Sequence, residues 1–467
     1  MIEPPLQDVT ADDRLRGENR GAVAVNSYLF VVLEGDRPLS GGARFALEGV
    51  DEIVIGRGQR RAASVEARDG VRRLTLTLES PLLSRLHARL RRDRGGWILE
   101  DAGSRNGSYL NGQRVASGLL GADDVLEVGH TFLMVRWFPQ RADESTADLD
   151  SSALEGELAA FRTLVPPLAA RFADLRRVAR SSIAVLLCGE TGTGKEVLAR
   201  ALHAASLRPG LFVAVNCSTL TDGLAESQLF GHVKGAFSGA VADSVGFVRA
   251  AEHGTLLLDE VGDLSSAAQG ALLRVLQERE VIPVGRARAQ AIDVRFLATT
   301  PRPLDSAGGQ DPFRSDLFAR LSGYVHTMTS LRERREDLGL LAAVLLRKAG
   351  ATDGEPLRIP PEAGLALVRY GWPLNVRELE QVLVRSRLLS PDGVMHVELR
   401  PASAGGAAPE AAPGPSAAEH ELHARVTEAL VAAQGNVSAA AQALGKGRVQ
   451  LHRLMRRLKI DPKRFRA

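Results

Sequence analysis

Four groups of residues in this 467-residue chain have the types and spacing to handle phosphate. The first is the run Gly189, Glu190, Thr191, Gly192, Thr193, Gly194, Lys195, Glu196. Its glycines let successive backbone N–H groups turn inward around phosphate oxygens, while Lys195 is long enough to reach the terminal phosphates. The second is the pair Asp259 and Glu260, which closes the stretch GTLLLDE. Two acids beside bound phosphates suit two tasks, one holding a magnesium ion and one polarising the attacking water. Asp259 is the candidate metal ligand of the pair; the Ser or Thr that usually follows the lysine as a further magnesium ligand is Glu196 here. The third group is Arg57, Ser84, Arg85, Arg105 and Asn106, guanidinium and hydroxyl donors of the kind that meet a dianionic phosphoryl group on a side chain. The fourth lies near the C-terminal end, where Arg448, Gln450, His452, Arg453, Arg456 and Arg457 remain outward once Val449, Leu451, Leu454 and Leu458 are assigned to a core. A basic helix of that kind suits phosphates and base edges of DNA.

The elements that must position these groups can be read around them. The glycine loop is preceded by the apolar run SIAVLLC and followed by VLARALHAAS, a strand–loop–helix order that aims the helix's positive end at the phosphates. LFVAVNC, GTLLLDEV and DVRFLATT are further apolar runs, and their continuous character predicts a parallel sheet covered on both faces. After about Leu331 only helical patterns remain, as for a lid. The third group falls at strand ends of a different region. There SYLFVVLEG, EIVIGR, RLTLTLES, GWILEDAG and LEVGHTFLMVRWF are separated by Gly-rich turns, and Leu74, Leu76 and Leu78 alternate with Thr75 and Thr77. That is the pattern of a β-sandwich, in which Gly56 and His87 read as architectural. The last fifty residues hold three helix-sized segments; Ala439, Ala440 and Ala441 permit close packing and Gly445 suits a sharp turn.

The chain therefore reads as multidomain, as its length requires. We expect an N-terminal tail (1–24), an all-β sandwich (25–138), a polar linker (139–153), an α/β domain with helical lid (154–398), a Pro/Ala/Gly tether (399–417) and an all-α helix-turn-helix (418–467). With 45% hydrophobic and 25% charged residues the composition is globular, and the net charge of +3 excludes little. No apolar run reaches the roughly 18 residues of a membrane span, and the polar, acidic first twenty residues do not resemble a signal peptide. Cys188 and Cys217 sit alone in apolar segments, as buried thiols of a cytoplasmic protein do.

Two family resemblances refine this. Residues from about 182 to 390 resemble the AAA+ ATPase domain of sigma-54-dependent transcription activators, through GETGTGKE, ESQLFGHVKGAFSGA, LLRVLQERE, PFRSDLFARLS, LRERREDL and YGWPLNVRELEQ in order. The resemblance implies ATP and Mg²⁺ as cofactors, Lys195 on phosphates, and Asn216 holding Glu260 in a nucleotide-sensing switch. It implies Thr300 as a first sensor, Arg377 as the lid sensor, and Arg314 and Arg320 as fingers inserted into a neighbouring subunit of a ring. It also makes Gly235, Ala236, Phe237, Ser238, Gly239 and Ala240 the loop that contacts sigma-54, with Phe237 an exposed anchor. Departures from the family pattern are Ser238 for Thr, Arg249 for Glu, Pro301 for Asn and Leu374 for Gly. Residues from about 28 to 136 resemble a forkhead-associated (FHA) domain, in which Arg57 and Ser84 hold phosphothreonine, Asn106 holds the ligand backbone, and Arg85 and Arg105 add contacts. The C-terminal segment resembles a Fis-type helix-turn-helix.

Together these imply a cytoplasmic regulator that binds enhancer DNA, forms a hexamer-like ring and remodels sigma-54 RNA polymerase under control of a phosphothreonine protein. The opposing reading is a phosphopeptide-responsive DNA-binding repressor or scaffold, whose ATPase has become a nucleotide-gated assembly domain. Arg249 and Pro301 favour the second reading; Lys195, Asp259, Glu260 and the two finger arginines favour the first.

Overall fold

A computed structural model describes residues 25–139 except 94–95, 147–301 except 222, and 313–399, with isolated positions 433, 439 and 443. The expected helix-turn-helix and its Arg448, Gln450, His452, Arg453, Arg456 and Arg457 lie outside the described residues, as do the N-terminal tail and nearly all of the tether.

The N-terminal part is a β-sandwich of strands β1 (Val25–Glu34), β2 (Ala43–Ala46), β3 (Glu52–Arg57), β4 (Ala62–Arg68), β5 (Val71–Leu78), β6 (Ala88–Asp93), β7 (Gly96–Asp101), β8 (Ser108–Leu110), β9 (Gln113–Val115), β10 (Ser117–Leu120), β11 (Leu126–Val128) and β12 (Thr131–Pro139). One sheet runs β10-β7-β6-β3-β5-β4, and the other β2-β1-β12-β11-β8-β9. Leu74, Leu76 and Leu78 all point into the core between the sheets, as their alternation with threonine predicts. The second sheet gains an edge strand, β13 (Leu149–Asp150), from the stretch read as linker. Arg61 binds this addition in place, donating to Asp150 (Nε to Oδ2, 2.7 Å) and to Glu34 (Nη1 to Oε1, 2.6 Å).

The second part follows as α1 (Pro166–Ala179), β14 (Val185–Cys188), α2 (Lys195–Ser206), β15 (Phe212–Asn216), α3 (Ala225–Phe230), α4 (Gly246–Ala250), β16 (Thr255–Asp259) and α5 (Ser266–Glu278). A two-stranded ribbon, β17 (Glu280–Val281) with β18 (Gln290–Ala291), precedes β19 (Arg295–Thr300), α6 (Ser315–Leu321) and β20 (Tyr324–Thr327). The sheet is parallel, in the order β15-β16-β19-β14-β20. Its strands are apolar on both faces because helices cover both: Leu186, Leu256 and Leu258 pack into one cluster, and Val185, Leu187 and Leu257 into another. Placing β14 between β19 and β20 brings the glycine loop after β14 beside the acids that end β16.

The lid is helical as expected, with α7 (Leu338–Lys348), α8 (Pro361–Arg369) and α9 (Asn375–Leu388). The unexpected feature is what the lid packs against. Tyr28, Phe30 and Val32 of β1 and Phe132 and Met134 of β12 share one apolar cluster with Leu340, Leu346, Leu367 and Trp372 of the lid. The alternate residues of the same strands, Leu29, Val31, Leu133 and Val135, fill the sandwich core. So β1 is buried on both faces, one in its own domain and one against α7, which is itself apolar almost all round. Polar contacts reinforce the junction. The Ile359 amide donates to the Gly35 carbonyl (2.7 Å), and Arg44 Nη1 to the Leu164 carbonyl (2.9 Å). Asp337, at the start of α7, accepts from Thr163 Oγ1 and the Leu164 amide, both at 2.7 Å. Close approach is achieved at Gly364, where a Cβ would lie 2.3 Å from the Phe132 ring. The sandwich and the ATPase domain, read from sequence as separate units on a linker, thus share a core. No helix among the described residues is long and apolar enough to cross a membrane.

Candidate functional site

The glycine loop leaves β14 at Cys188 and enters α2 at Lys195. Gly189, Gly192 and Gly194 have φ of 138°, 79° and 96°, so the loop uses backbone conformations that L side chains rarely adopt. Thr193 is buried and its hydroxyl donates to the Glu190 carbonyl (2.8 Å). Lys195 Nζ donates to the Gly189 and Glu190 carbonyls (2.7 and 3.1 Å). Burial pulls its ammonium below the usual lysine range, while Asp259 and Glu260 push it up and Arg377 pulls it down. The charges of Asp259, Glu260 and Arg377 are thus near enough to act on Lys195. Glu196 does not join them. It is exposed on the first turn of α2 and pairs with Arg200 (2.7 Å), an ordinary i,i+4 surface pair.

The acid pair is set by strand register. Asp259 ends β16, opposite Asn216 at the end of β15. Glu260 follows in a left-handed backbone conformation, φ 56°, a strained state for a non-glycine residue that is found disproportionately at active sites. One side chain secures both: the Thr299 hydroxyl donates to Asp259 Oδ1 (2.5 Å) and accepts from the Glu260 amide (3.0 Å). Thr299 was missed by sequence reasoning, which singled out Thr300 one residue along. Thr300 is buried, and its carbonyl accepts from the Gly189 amide (3.2 Å), which ties β19 to the glycine loop. Adjacent strand residues point to opposite faces, so the two threonines present their hydroxyls on different sides. Asn216 Oδ1 caps a 3-10 turn by accepting from the Ser218 amide (2.9 Å) and hydroxyl (2.7 Å), which engages the amide oxygen and not the Nδ2 donor that a contact to the Glu260 carboxylate would use.

The lid closes on the glycine loop through two residues of the LRERREDL and YGWPLNVRELEQ motifs that sequence reasoning did not single out. Arg332 makes a two-pronged ion pair with Glu190, at 2.7 and 2.5 Å. Asn375, fully buried, donates to Glu190 Oε2 (3.1 Å) and the Thr191 carbonyl (3.0 Å), while its own oxygen accepts from the Leu331 amide (2.9 Å). The Arg332 hydrogen bonds, assisted by Asn375 against partial burial, hold the Glu190 carboxyl down at about 2. Gly192 is required here for a second reason, because a Cβ would lie 2.0 Å from the Leu374 carbonyl. The Arg377 amide donates to the Gly192 carbonyl (3.2 Å), and its exposed side chain is near enough to influence Lys195. Arg314 and Arg320 are both exposed, at the start and within α6; Arg314 pairs with Asp316 (2.8 Å).

No group of three or more His, Cys, Asp or Glu side chains able to hold a metal occurs among the described residues. A magnesium ion that reaches the site on nucleotide phosphates needs fewer protein ligands, and Asp259 at a strand end with its second acid neighbour fits that demand. Cys217 is no candidate ligand, since burial pushes its thiol up to about 12.

The loop Gly235–Ala240 is closed by its own backbone: the Gly235 amide donates to the Ala240 carbonyl (2.8 Å) and the Ala240 amide to the Phe237 carbonyl (3.0 Å). Gly235 and Gly239 take positive φ, and Gly235, Ser238 and Gly239 are exposed while Ala236 is partly and Ala240 fully buried. Phe237 is half-buried, edge-on to His232 at 5.1 Å between ring centres, and so less free than an exposed anchor.

On the sandwich, Arg57, Arg85, Arg105 and Asn106 are exposed along one rim around the partly buried Ser84. The Arg57 amide donates to the Ser84 carbonyl (2.9 Å), the Arg105 amide to Ser84 Oγ (3.2 Å), and Asn106 Nδ2 to the Leu82 carbonyl (2.7 Å). His87 is fully buried beneath; its Nδ1 accepts from the Ser84 amide (3.3 Å) and its Nε2 faces the Gly107 carbonyl (3.1 Å), which makes Nε2 the protonated nitrogen. Gly56 lies so close that a Cβ would fall 2.0 Å from the Arg85 carbonyl. Both are architectural, as expected. Asp101, unnoticed in the sequence, organises the neighbouring turn by accepting from Gly103, Ser104 and Ser108.

Comparison with known proteins agrees with this geometry. Residues 165–326 match the sigma-54 interaction domain, 332–416 the AAA+ ATPase lid domain, and 53–129 the FHA domain. The chain is 39% identical to the transcriptional regulatory protein GlrR of Escherichia coli over 303 residues, covering 64% of this chain and 68% of that one. It is 40% identical to the acetoin catabolism regulatory protein of Cupriavidus necator over 343 residues (70% and 50%), and 44% identical to the sigma54-dependent transcriptional activator SfnR of Pseudomonas putida over 235 residues (50% and 64%). The chain spans about half the length of several of these curated relatives. Among solved structures, NtrX of Brucella abortus in complex with ATP is similar at 31% identity and a TM-score of 0.47, over 66% of this chain and 71% of that one. An AAA+ domain of an ATPase family, its lid and an FHA domain are thus joined in one chain, which belongs to the sigma-54-dependent transcriptional activators.

Proposed function

We propose that this protein binds enhancer DNA, assembles into a ring and spends ATP hydrolysis on remodelling sigma-54 RNA polymerase, under control of a phosphothreonine protein read by its FHA domain. The observation that carries the reading is the glycine loop whose carbonyls accept from Lys195, on the same sheet as the acid pair that one Thr299 hydroxyl secures, with the Gly235–Ala240 loop on the same domain. In this scheme the glycine-loop amides and Lys195 hold the phosphates, and Glu260 orients the attacking water. Magnesium, held through Asp259, would neutralise charge on the phosphates. Thr299 keeps the two acids in fixed relation, so that their positions need no rearrangement during turnover. Arg314 and Arg320, exposed on α6, would stabilise phosphoryl charge in a neighbouring copy, making hydrolysis conditional on assembly. The lid reports nucleotide through Arg332, Asn375 and Arg377 on the glycine loop. DNA binding rests on the C-terminal basic segment and the ring on the finger arginines. The phosphothreonine role rests on the cationic rim around Ser84, where Arg57 is exposed.

A second reading, a nucleotide-gated DNA-binding scaffold, draws support from Pro301, which supplies no amide side chain after Thr300, and from Arg249, which stands where the family carries Glu. Transcription from a sigma-54 promoter with purified polymerase separates them. Output that requires ATP, fails with a non-hydrolysable analogue and is lost in Phe237→Ala supports remodelling. No output despite DNA binding and ring formation, with a phosphothreonine ligand also supplied, supports the scaffold.

A further inference from the structure

The phosphothreonine rim does not end in open solvent on the side of Asn106. A cleft of about 330 Å³ opens there, with Leu82, Asn106 and Tyr109 of the sandwich on one side and Pro361, Glu362 and Leu365 of lid helix α8 on the other. Helix α8 is held in that position by the shared core. Gly364 abuts the Phe132 ring, and Leu365 Cδ2 approaches Gly112 so closely that a Cβ there would lie 2.7 Å away. Asn106 belongs both to the rim and to the cleft, so a peptide that passes it after its phosphothreonine enters a space walled partly by the ATPase lid.

The floor of this cleft is acidic. Glu127 pairs in register with Tyr109 on β8 and Phe132 on β12. Its neighbours Leu126 and Val128 point into the sandwich core, so Glu127 faces the other way, into the cleft beneath α8. Glu127 is only 7% exposed, and its carboxylate opens into the cleft with no side-chain hydrogen bond or ion pair to the described residues. Burial lifts its carboxyl above the usual range; nearby His130 opposes this and Glu362 adds to it. His130 is itself engaged by Asp36, 3.3 Å away. Two acids that share a half-enclosed cleft favour a cation there, and the imidazole in its lining, His130, is already held by Asp36. A lysine or arginine side chain would bring its charge to Glu127 and Glu362 and lay its aliphatic stem along Tyr109 and Leu365.

We propose that lid helix α8 completes the phosphopeptide site, and that the peptide taken there carries a lysine or arginine a few residues from its phosphothreonine, on the side that passes Asn106. The inference rests on the phosphothreonine reading of the rim. It adds that the ligand touches the same lid that clamps Glu190 of the glycine loop, so the two domains recognise it jointly.

The test uses the full chain and a pool of synthetic peptides with a fixed phosphothreonine and randomised flanks, beside the same pool carrying threonine. The protein is expected to retain the phosphorylated pool and to enrich Lys and Arg at one flanking position by on the order of tenfold, the scale of a single desolvated ion pair. In Glu362→Arg, an exposed substitution, the phosphorylated pool is still retained but that enrichment disappears or turns acidic; Glu127→Gln, nearly isosteric, weakens it. Retention of the phosphorylated pool without Lys or Arg enrichment, or with the same enrichment in both variants, would overturn the role of α8 and leave the rim's reading intact. Equal retention of phosphorylated and plain pools would overturn both.

Discussion

Thr299 links the two acids of the candidate hydrolytic pair through one hydroxyl, giving a hydrogen bond to Asp259 and taking one from the Glu260 amide. That makes it a positioning residue, and its removal should separate binding from turnover. In Thr299→Val, which preserves shape but loses the hydroxyl, ATP hydrolysis should fall by on the order of tenfold while nucleotide affinity stays near wild type. Equal kcat in the two proteins would show that Asp259 and Glu260 hold their geometry without it. The residue was not legible in sequence because ATT offers two adjacent threonines, and only strand orientation decides which one faces the acids. Lys195, Asp259 and Glu260 were legible because their chemistry depends on local loop and strand ends. Arg332 and Asn375 were not: they reach Glu190 across 142 and 185 positions of chain.

At the scale of elements, β20 shows how burial alone sets a pH response. His326 lies on this strand, 3% exposed, with Phe172 beside it and its Nε2 without a hydrogen-bond partner. Burial, with the charges of Arg171 and Arg334 adding to it, lowers its pKa to about 4. The folded state therefore resists a proton that the unfolded chain accepts near 6.5. Stability from the neutral ring is complete above pH 6.5 and is lost as pH falls toward 4, by roughly 3 kcal/mol. Denaturant melts of wild type and His326→Phe should diverge over that window, with the wild type losing more; parallel pH curves would contradict it. The sequence reading passed over β20, as it did β2, β4 and β6. Strand β4 is largely exposed and carries no apolar alternation, and β20 is only four residues long, so neither prints a period on the sequence.

For the whole molecule, the shared core of sandwich and lid makes the two parts one mechanical unit. Gly364 is where α8 comes nearest to Phe132, so Gly364→Leu should strain the junction while leaving each domain's own core untouched. In the full chain, hydrogen exchange of β1 and α7 should report one cooperative opening, and in Gly364→Leu β1 should open at lower free energy than the parallel sheet. Separate opening already in the wild type would show that the apolar contact carries little energy. The consequence for the proposed function is direct: a ligand taken on the rim would sit on a sandwich whose core is shared with the lid that contacts the glycine loop.

The chain's own order of residues determined the glycine loop, the acid pair at a strand end, the cationic rim, and the succession of sandwich, α/β domain and helical lid. Each depends on periodicity or on neighbours within a few residues, and such information is written locally. Tertiary structure alone decided that the Thr299 hydroxyl meets the acids, that Asn216 caps its own turn, that Arg332 and Asn375 clamp Glu190, and that the sandwich docks on the lid. One trace of that docking does lie in the sequence: Tyr28 to Leu33 are apolar without alternation, whereas Leu74 to Leu78 alternate with threonine. An unbroken apolar strand must be covered on both faces. What covers the second face is a helix some three hundred residues away, and no local pattern can name a partner at that distance.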